Sequence, residues 1–97
     1  MKFVGEFQRE IRGEFPAKEG KPAKSFVDFQ FMDFATDPKD ALEELIRFRV
    51  FESEHGAVEE VRKGLKPRCL YEVVVNRLSW DRSPVVYGGR IGLEVKR

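Results

Sequence analysis

The feature that most constrains the fold of this chain is a two-residue alternation that runs through its first fifteen residues. Odd positions from 3 to 15 carry Phe, Gly, Phe, Arg, Ile, Gly and Phe, whereas the even positions between them are mostly charged. Because successive side chains of a β-strand point to opposite faces, this pattern predicts one long strand with a polar face. Gly5 and Gly13 predict bends or bulges, which let a strand curl around a small barrel.

A loop and a second strand are predicted to follow. Residues 16–24 are rich in Lys, Gly and Pro, which predicts a hairpin loop. The second strand is predicted over 25–34. Beyond it, Asp37 and Pro38 resemble a helix start, with a capping side chain followed by a proline in the first turn. Residues 36–44 are therefore predicted to form a short acidic helix or a loop.

The third predicted strand has a helix as its alternative. The spacing of apolar residues from 42 to 49 also fits one face of a helix. In favour of a strand, Ile46, Phe48 and Val50 alternate strictly with a second set of side chains, and the segment is rich in β-branched and aromatic residues. The second set, on the opposite face, consists of Arg47, Arg49 and Phe51.

One helix and two further strands complete the predicted order. Apolar spacing predicts a helix over 56–63, and Gly64 can end it with a positive φ. A fourth strand is predicted over 68–78; it is apolar on both faces, which indicates a central position. A turn over 80–84 then leads to a fifth strand over 85–95.

Three strands, one helix and two strands match the five-stranded OB barrel, whose helix lies between strands three and four. A general α+β meander is the alternative. The chain of 97 residues has the common size of one domain and contains no linker-like or repeated segment. We therefore expect a mainly β, five-stranded OB-fold barrel in which residues 1–97 form a single domain.

Residues typical of catalytic and metal sites are scarce. One His and one Cys are too few for the common zinc sites, and the sequence contains no glycine-rich phosphate loop and no nucleophile motif. His55 is better explained as an exposed or helix-capping residue. We therefore expect no enzyme, no metal and no cofactor.

Charge is distributed unevenly along a chain whose net charge is only +1. Residues 61–97 hold nine basic and three acidic side chains, whereas residues 37–60 hold three basic and eight acidic ones. Such a polarised domain can hold phosphates on one side, although the charges also serve simply to solvate a small domain.

The cellular location is predicted from features that are missing. No apolar run approaches the roughly 20 residues of a membrane span. The first residues are too charged for a signal peptide, and the lone Cys69 cannot form an internal disulfide. We therefore expect a cytoplasmic protein without membrane contact.

Aromatic residues interleaved with Arg and Lys are the remaining functional signal. Unpaired bases stack on aromatic rings, which contributes roughly 1–3 kcal/mol per base, and their phosphates need nearby cations. For each Phe the alternative is core packing, and for the arginines it is a solvated face. The residues predicted to bind nucleic acid are Arg47, Arg49, Phe51, Arg77, Trp80, Arg82, Lys21, Lys24, Phe29, Phe31 and Tyr87.

Two groups of segments resemble known single-stranded DNA-binding proteins. The run RFRVF at 47–51, the helix end VRKG at 61–64 and the run VVVNRLSW at 73–80 resemble strand three, the helix end and strand four of the bacterial family. The GKP loop at 20–22 is similar to a hairpin of the helix-destabilising gene V proteins of filamentous phages. The resemblance implies that Phe51 and the terminal tryptophan of the fourth run stack on bases.

The function that this resemblance implies is sequence-tolerant binding and protection of single-stranded DNA during replication or recombination. We expect a homo-oligomer, with a dimer favoured, in the cytoplasm of a bacterium or of a phage-infected host. RNA stays open as a ligand, because the groups that would read a 2′-hydroxyl are not identifiable. The alternative function is an OB-type module that docks other proteins, which the acidic segment 37–60 would favour.

Overall fold

A computed structural model describes residues 2–33, 45–53 and 56–96 of the chain and shows a mainly β structure. Its elements in chain order are β1 (Lys2–Phe15), β2 (Lys24–Asp33), β3 (Leu45–Phe51), α1 (Ala57–Gly64), β4 (Leu70–Asp81) and β5 (Ser83–Val95). The strand prediction for β3 is confirmed, and the predicted helix or loop at 36–44 lies outside the described residues. In the described part of the chain, no helix is long and apolar enough to cross a membrane.

The five strands form one sheet that closes into a ring. The strand order is β1-β2-β3-β5-β4, and β4 pairs back onto the first residues of β1. All neighbours are antiparallel except β3 and β5, which run parallel over a short stretch, 47–49 against 85–87. β4 pairs with both β1 and β5, but in a closed ring every strand has two neighbours, so the predicted central position does not distinguish β4 from the others.

A register shift in β1 changes which face its side chains occupy. Phe7 lies opposite Phe31, but Arg9 lies opposite Gln30, so one extra residue is inserted between Phe7 and Arg9. Before the shift the odd positions of β1 point into the core, and after it they point outward. The predicted single polar face is therefore wrong, because a bulge reverses the alternation halfway along the strand.

The core fills the inside of the ring. Its fully buried side chains are Phe29, Phe31, Val73 and Val86, whereas the equally buried Val85 lies opposite Arg47 on the other face of the sheet. Burying side chains of this size contributes roughly 1.5–3 kcal/mol each, so these residues dominate the stability of the sheet. The apolar side of α1 packs against this core through Ala57, Val58 and Val61.

The β4–β5 hairpin is longer than predicted. The predicted turn over 80–84 is confirmed in position, but it is tighter than predicted, because Trp80 still pairs with Pro84 and the next residues pair as well, which leaves Arg82 as the turn residue. Arg82 has a φ of 65°, a left-handed conformation that reverses the chain sharply.

Candidate functional site

The pairing of β2 with β3 brings charged and aromatic side chains together on the outside of the ring. Phe26 lies opposite Phe51, and Asp28 lies opposite Arg49. Because Val27 between them belongs to the core, these four side chains face outward. The outer face of β3 therefore carries Arg49 and Phe51 side by side, together with partners from β2 that the sequence did not reveal.

Arg49 is held in place by groups of the protein itself. Its Nε and Nη2 donate to the two carboxylate oxygens of Asp28 at 2.8 and 2.9 Å, and its Nη1 donates to the Tyr87 hydroxyl at 2.7 Å. The side chains of Arg49 and Asp28 are only 2% and 4% exposed. The predicted phosphate contact of Arg49 is therefore wrong, because its hydrogen-bonding groups are used internally.

The electrostatics of this pair follow from its burial. Burial by itself lowers the pKa of Arg49, but the hydrogen bonds and the negative charge of Asp28 outweigh it, so the pKa is raised above its ordinary value. Arg49 thus stays charged, and Asp28 neutralises it. The centre of the outer face is a closed ion pair.

Arg47 is also engaged, although less completely. Its Nε donates to the Ser83 hydroxyl at 3.0 Å, and its Nη1 lies 3.6 Å from the Asp28 carboxylate. Its side chain is 19% exposed. One carboxylate therefore serves two guanidinium groups, and the predicted phosphate contact of Arg47 stays a prediction.

Four aromatic rings form one cluster beside Arg49, and we call them the aromatic platform: Phe15, Phe26, Phe51 and Tyr87. The ring centroids of Phe15 and Phe26 are 5.0 Å apart, and Phe51 stacks on Tyr87 at 6.2 Å with an interplanar angle of 28°. The guanidinium of Arg49 lies 3.9 Å from the ring centroid of Phe26. A cation–π contact of this kind holds the rings around a fixed centre.

The sequence predicted two members of the platform and missed the other two. Phe51 and Tyr87 were expected to stack on bases, and they are brought together. Phe15 faces outward only because of the bulge in β1, which the alternation does not show. Phe26 lies over Gly13, where a Cβ would come within 2.5 Å of the ring. A glycine opposite an aromatic residue in a paired strand is the signal that could have found it.

The platform is open to solvent at its edges and has cations beside it. Phe15 is 39% exposed, Phe51 and Tyr87 are partly exposed, and Phe26 is buried. The Nζ of Lys24 lies 5.9 Å from the Phe51 ring centroid. The loop between β1 and β2 adds the exposed Lys18 and Lys21.

Three predicted stacking residues do not join the platform. The predicted roles of Phe29 and Phe31 are wrong, because both are 0% exposed and fill the core. Trp80 is 68% exposed, but it lies on the other face of the hairpin. The strand pairing shows which face each side chain occupies. Trp80 pairs with Pro84, whereas Arg77 pairs with Tyr87 and so shares the face of the platform.

The charged residues near the hairpin differ in position. Arg77 is exposed beside the platform, whereas the exposed Arg82 occupies the turn at the far end of the hairpin. The predicted contact of Arg82 with nucleic acid stays a prediction.

Comparison of the chain with protein-family models, with curated proteins and with solved structures found no match. Within residues 2–33, 45–53 and 56–96, no group of three or more His, Cys, Asp or Glu side chains is arranged to hold a metal ion. Function is therefore inferred from the side chains of the platform and its surroundings.

Proposed function

We propose that the closed sheet is an OB-type barrel and that it binds single-stranded DNA with little sequence preference, protecting it during replication or recombination. The strand order, the parallel contact of β3 with β5 and the helix between β3 and β4 support the OB fold. OB folds bind oligonucleotides on the face of strands two and three, next to the loops that follow strands one and four. The aromatic platform occupies that face.

The observation that carries the proposal is the outward position of several partly exposed rings in one cluster. Bases of an unpaired strand expose flat apolar faces that stack on such rings whatever the sequence. Phe51 and Tyr87 are already nearly parallel to each other, which suits a base placed beside them. The platform thus offers rings on which bases can stack. The faces of the bases are free in a single strand and covered in a duplex.

The distribution of charge supports phosphate contacts at the rim of the platform. The centre is neutralised by Asp28 and Arg49, which are buried together. Lys24 and Arg77 are exposed on the same face, at opposite edges of the platform. Bases therefore lie over the rings in the centre, and the DNA backbone follows the outer cations.

Substitutions in the platform test the proposal. In mobility-shift titrations with oligo-dT, Phe51→Ala and Tyr87→Ala should each weaken binding by about 10- to 100-fold, since one lost stacking contact is worth roughly 1–3 kcal/mol. The matched control is Leu93→Ala, which removes a side chain that is 90% exposed at the other end of β5. Equal affinities for all three variants and the unchanged protein would sink the proposal.

The choice of nucleic acid is measured in the same experiment. Single-stranded DNA, duplex DNA and RNA of equal length are compared at one salt concentration, because phosphate contacts make affinity strongly salt-dependent. Tighter binding of the single strand than of the duplex is the expected result. Preference for the duplex would contradict a stacking mode.

A second candidate function, protein docking, is favoured by the apolar side of the β4–β5 hairpin. Leu78 and Trp80 are 48% and 68% exposed and lie on the face turned away from the platform. Such exposed apolar side chains are typical of contact sites for other proteins. The predicted homo-oligomer stays a prediction, and this hairpin face is available for it.

A further inference from the structure

A groove with a volume of about 680 Å³ lies between α1 and β5 and opens next to the aromatic platform. Its inner wall is apolar and includes Val61, Leu65 and Ile91, which are partly buried against the core. Phe51 and Tyr87 line its outer end. The platform and the groove therefore form one continuous surface.

One wall of the groove is backbone without side chains. The pairing of β5 with β3 reaches Tyr87, and no described strand pairs with that edge of β5 beyond this residue. Gly88 and Gly89 follow, with φ values of 67° and 127° that favour glycine. Both residues line the groove. Because an unpaired strand edge exposes N–H and C=O groups, a ligand in the groove meets hydrogen-bonding groups at close range.

Two exposed arginines flank the groove. Arg77 pairs with Tyr87 across the hairpin. Arg90 lies three residues after Tyr87 in β5, about 10 Å from it at the usual rise of a strand. Neither guanidinium has a carboxylate partner among the described residues. The acidic side chain that lines the same groove is Glu60. The flanks of the groove are thus suited to an anion.

We propose that this groove is a second subsite of the same interface, which takes one unstacked base of the DNA strand as the strand leaves the platform. The inference rests on the proposed function. The apolar wall covers the face of the base, the edge of β5 binds its polar edge, and Arg77 and Arg90 hold the phosphates on either side. The strand runs from Lys24 across Phe51 and Tyr87 into the groove.

Two variants test the subsite by different physical routes. Val61→Phe fills the groove without changing charge, so the affinity for oligo-dT should fall about tenfold while its dependence on salt stays the same. Arg90→Ala removes one phosphate contact, so the slope of log affinity against log salt should become shallower by about 0.7. Lys96→Ala removes an exposed cation outside the groove and is the matched control, with the slope of the unchanged protein.

The outcomes separate the subsite from the proposed function. If Val61→Phe and Arg90→Ala bind oligo-dT as the unchanged protein does, while Phe51→Ala binds weakly, the subsite is overturned and the platform stands. A groove that receives a protein segment instead would give this same result. If Phe51→Ala also binds normally, the proposed function falls with it. Thermal melting of each variant separates loss of binding from loss of folding, and Arg90, being exposed, keeps the test valid if Val61→Phe does not fold.

Discussion

Asp28 and Arg49 set the chemistry of the outer face because they neutralise each other at its centre and are both buried. A buried ion pair adds little stability by itself, since the loss of hydration offsets most of the attraction. Here each charged group is also hydrogen-bonded, and among the described residues no buried side-chain nitrogen or oxygen atom lacks a hydrogen-bond partner. The pair therefore acts mainly to position Tyr87 through its hydroxyl and Phe26 through its ring.

Removing Arg49 should lower the free energy of unfolding, because the buried carboxylate of Asp28 then loses its main partner. In Arg49→Met, Asp28 stays buried and keeps only the longer contact from Arg47, so urea unfolding should show a loss of about 3–5 kcal/mol. The double variant Asp28→Leu/Arg49→Met should regain much of this loss, because it leaves no buried charge. Arg12→Met, which breaks an exposed pair, is the control and should lose much less. A single variant as stable as the double variant would contradict the assignment.

At this scale, the periodicity of the sequence predicts which face of a strand a side chain occupies. It does not predict which residue of another strand contacts that side chain. The alternation in β3 correctly places Arg47, Arg49 and Phe51 on one outward surface. The carboxylate that takes up both arginines is 21 residues from Arg49 in the chain and becomes its neighbour only through the register of β2 against β3. Register depends on the folded sheet, so the closed ion pair could not be foreseen from spacing alone.

At the scale of elements, the bulge in β1 is what builds the platform. Without the extra residue, Phe15 would point to the inner side of the sheet, away from Phe26. Beyond the bulge, β1 is fixed to other elements by exposed ion pairs. Arg12 contacts Glu52 just after β3, and Arg62 of α1 contacts Glu10.

The link between β1 and β3 should make stability depend on pH. The hydrogen bond from Arg12 lowers the pKa of Glu52 below its ordinary value of 4.5. A carboxylate whose pKa is lowered by folding stabilises the protein above the unfolded pKa, and this contribution is lost as the pH falls through the folded pKa. The urea midpoint of Glu52→Gln should therefore lie below that of the unchanged protein at pH 7, and the two should converge below pH 4.5.

A control for this measurement is Glu94→Gln, since Glu94 is exposed and has no side-chain partner among the described residues. Its difference from the unchanged protein should be small at every pH. A Glu52→Gln difference that persists unchanged at pH 3 would contradict the assigned ion pair.

Element types were largely predictable, whereas irregularities were not. The alternation of β1, the apolar run of β4 and the spacing of α1 each carry a periodic signal that the folded chain keeps. The sequence predicted bends or bulges at Gly5 and Gly13, whereas the register shift lies between Phe7 and Arg9, where the alternation of the sequence continues. Likewise, Arg82 adopts a left-handed turn that usually favours glycine or asparagine, so the length of the β4–β5 hairpin was underestimated.

At the scale of the whole molecule, the proposed function requires a protein with almost no net charge to bind a polyanion. The principal extents are 47 × 27 × 20 Å, so the molecule is elongated. Net charge is +1, with an excess of acidic side chains in residues 37–60 and an excess of basic ones in residues 61–97. The proposed binding therefore depends on where the rings and rim cations lie, and not on overall charge.

Backbone amide NMR during a titration with oligo-dT tests this account most directly, because it reports every residue of the outer surface at once. Chemical-shift changes should concentrate on the platform and its rim, at residues 13–15, 24–26, 49–51 and 87–90. In the hairpin, the amide of Arg77 on the platform side should also shift, whereas amides around Trp80 on the opposite face should change little. Shifts centred on that hairpin face, or no shifts at all under low salt, would contradict a single-stranded DNA site on the aromatic platform.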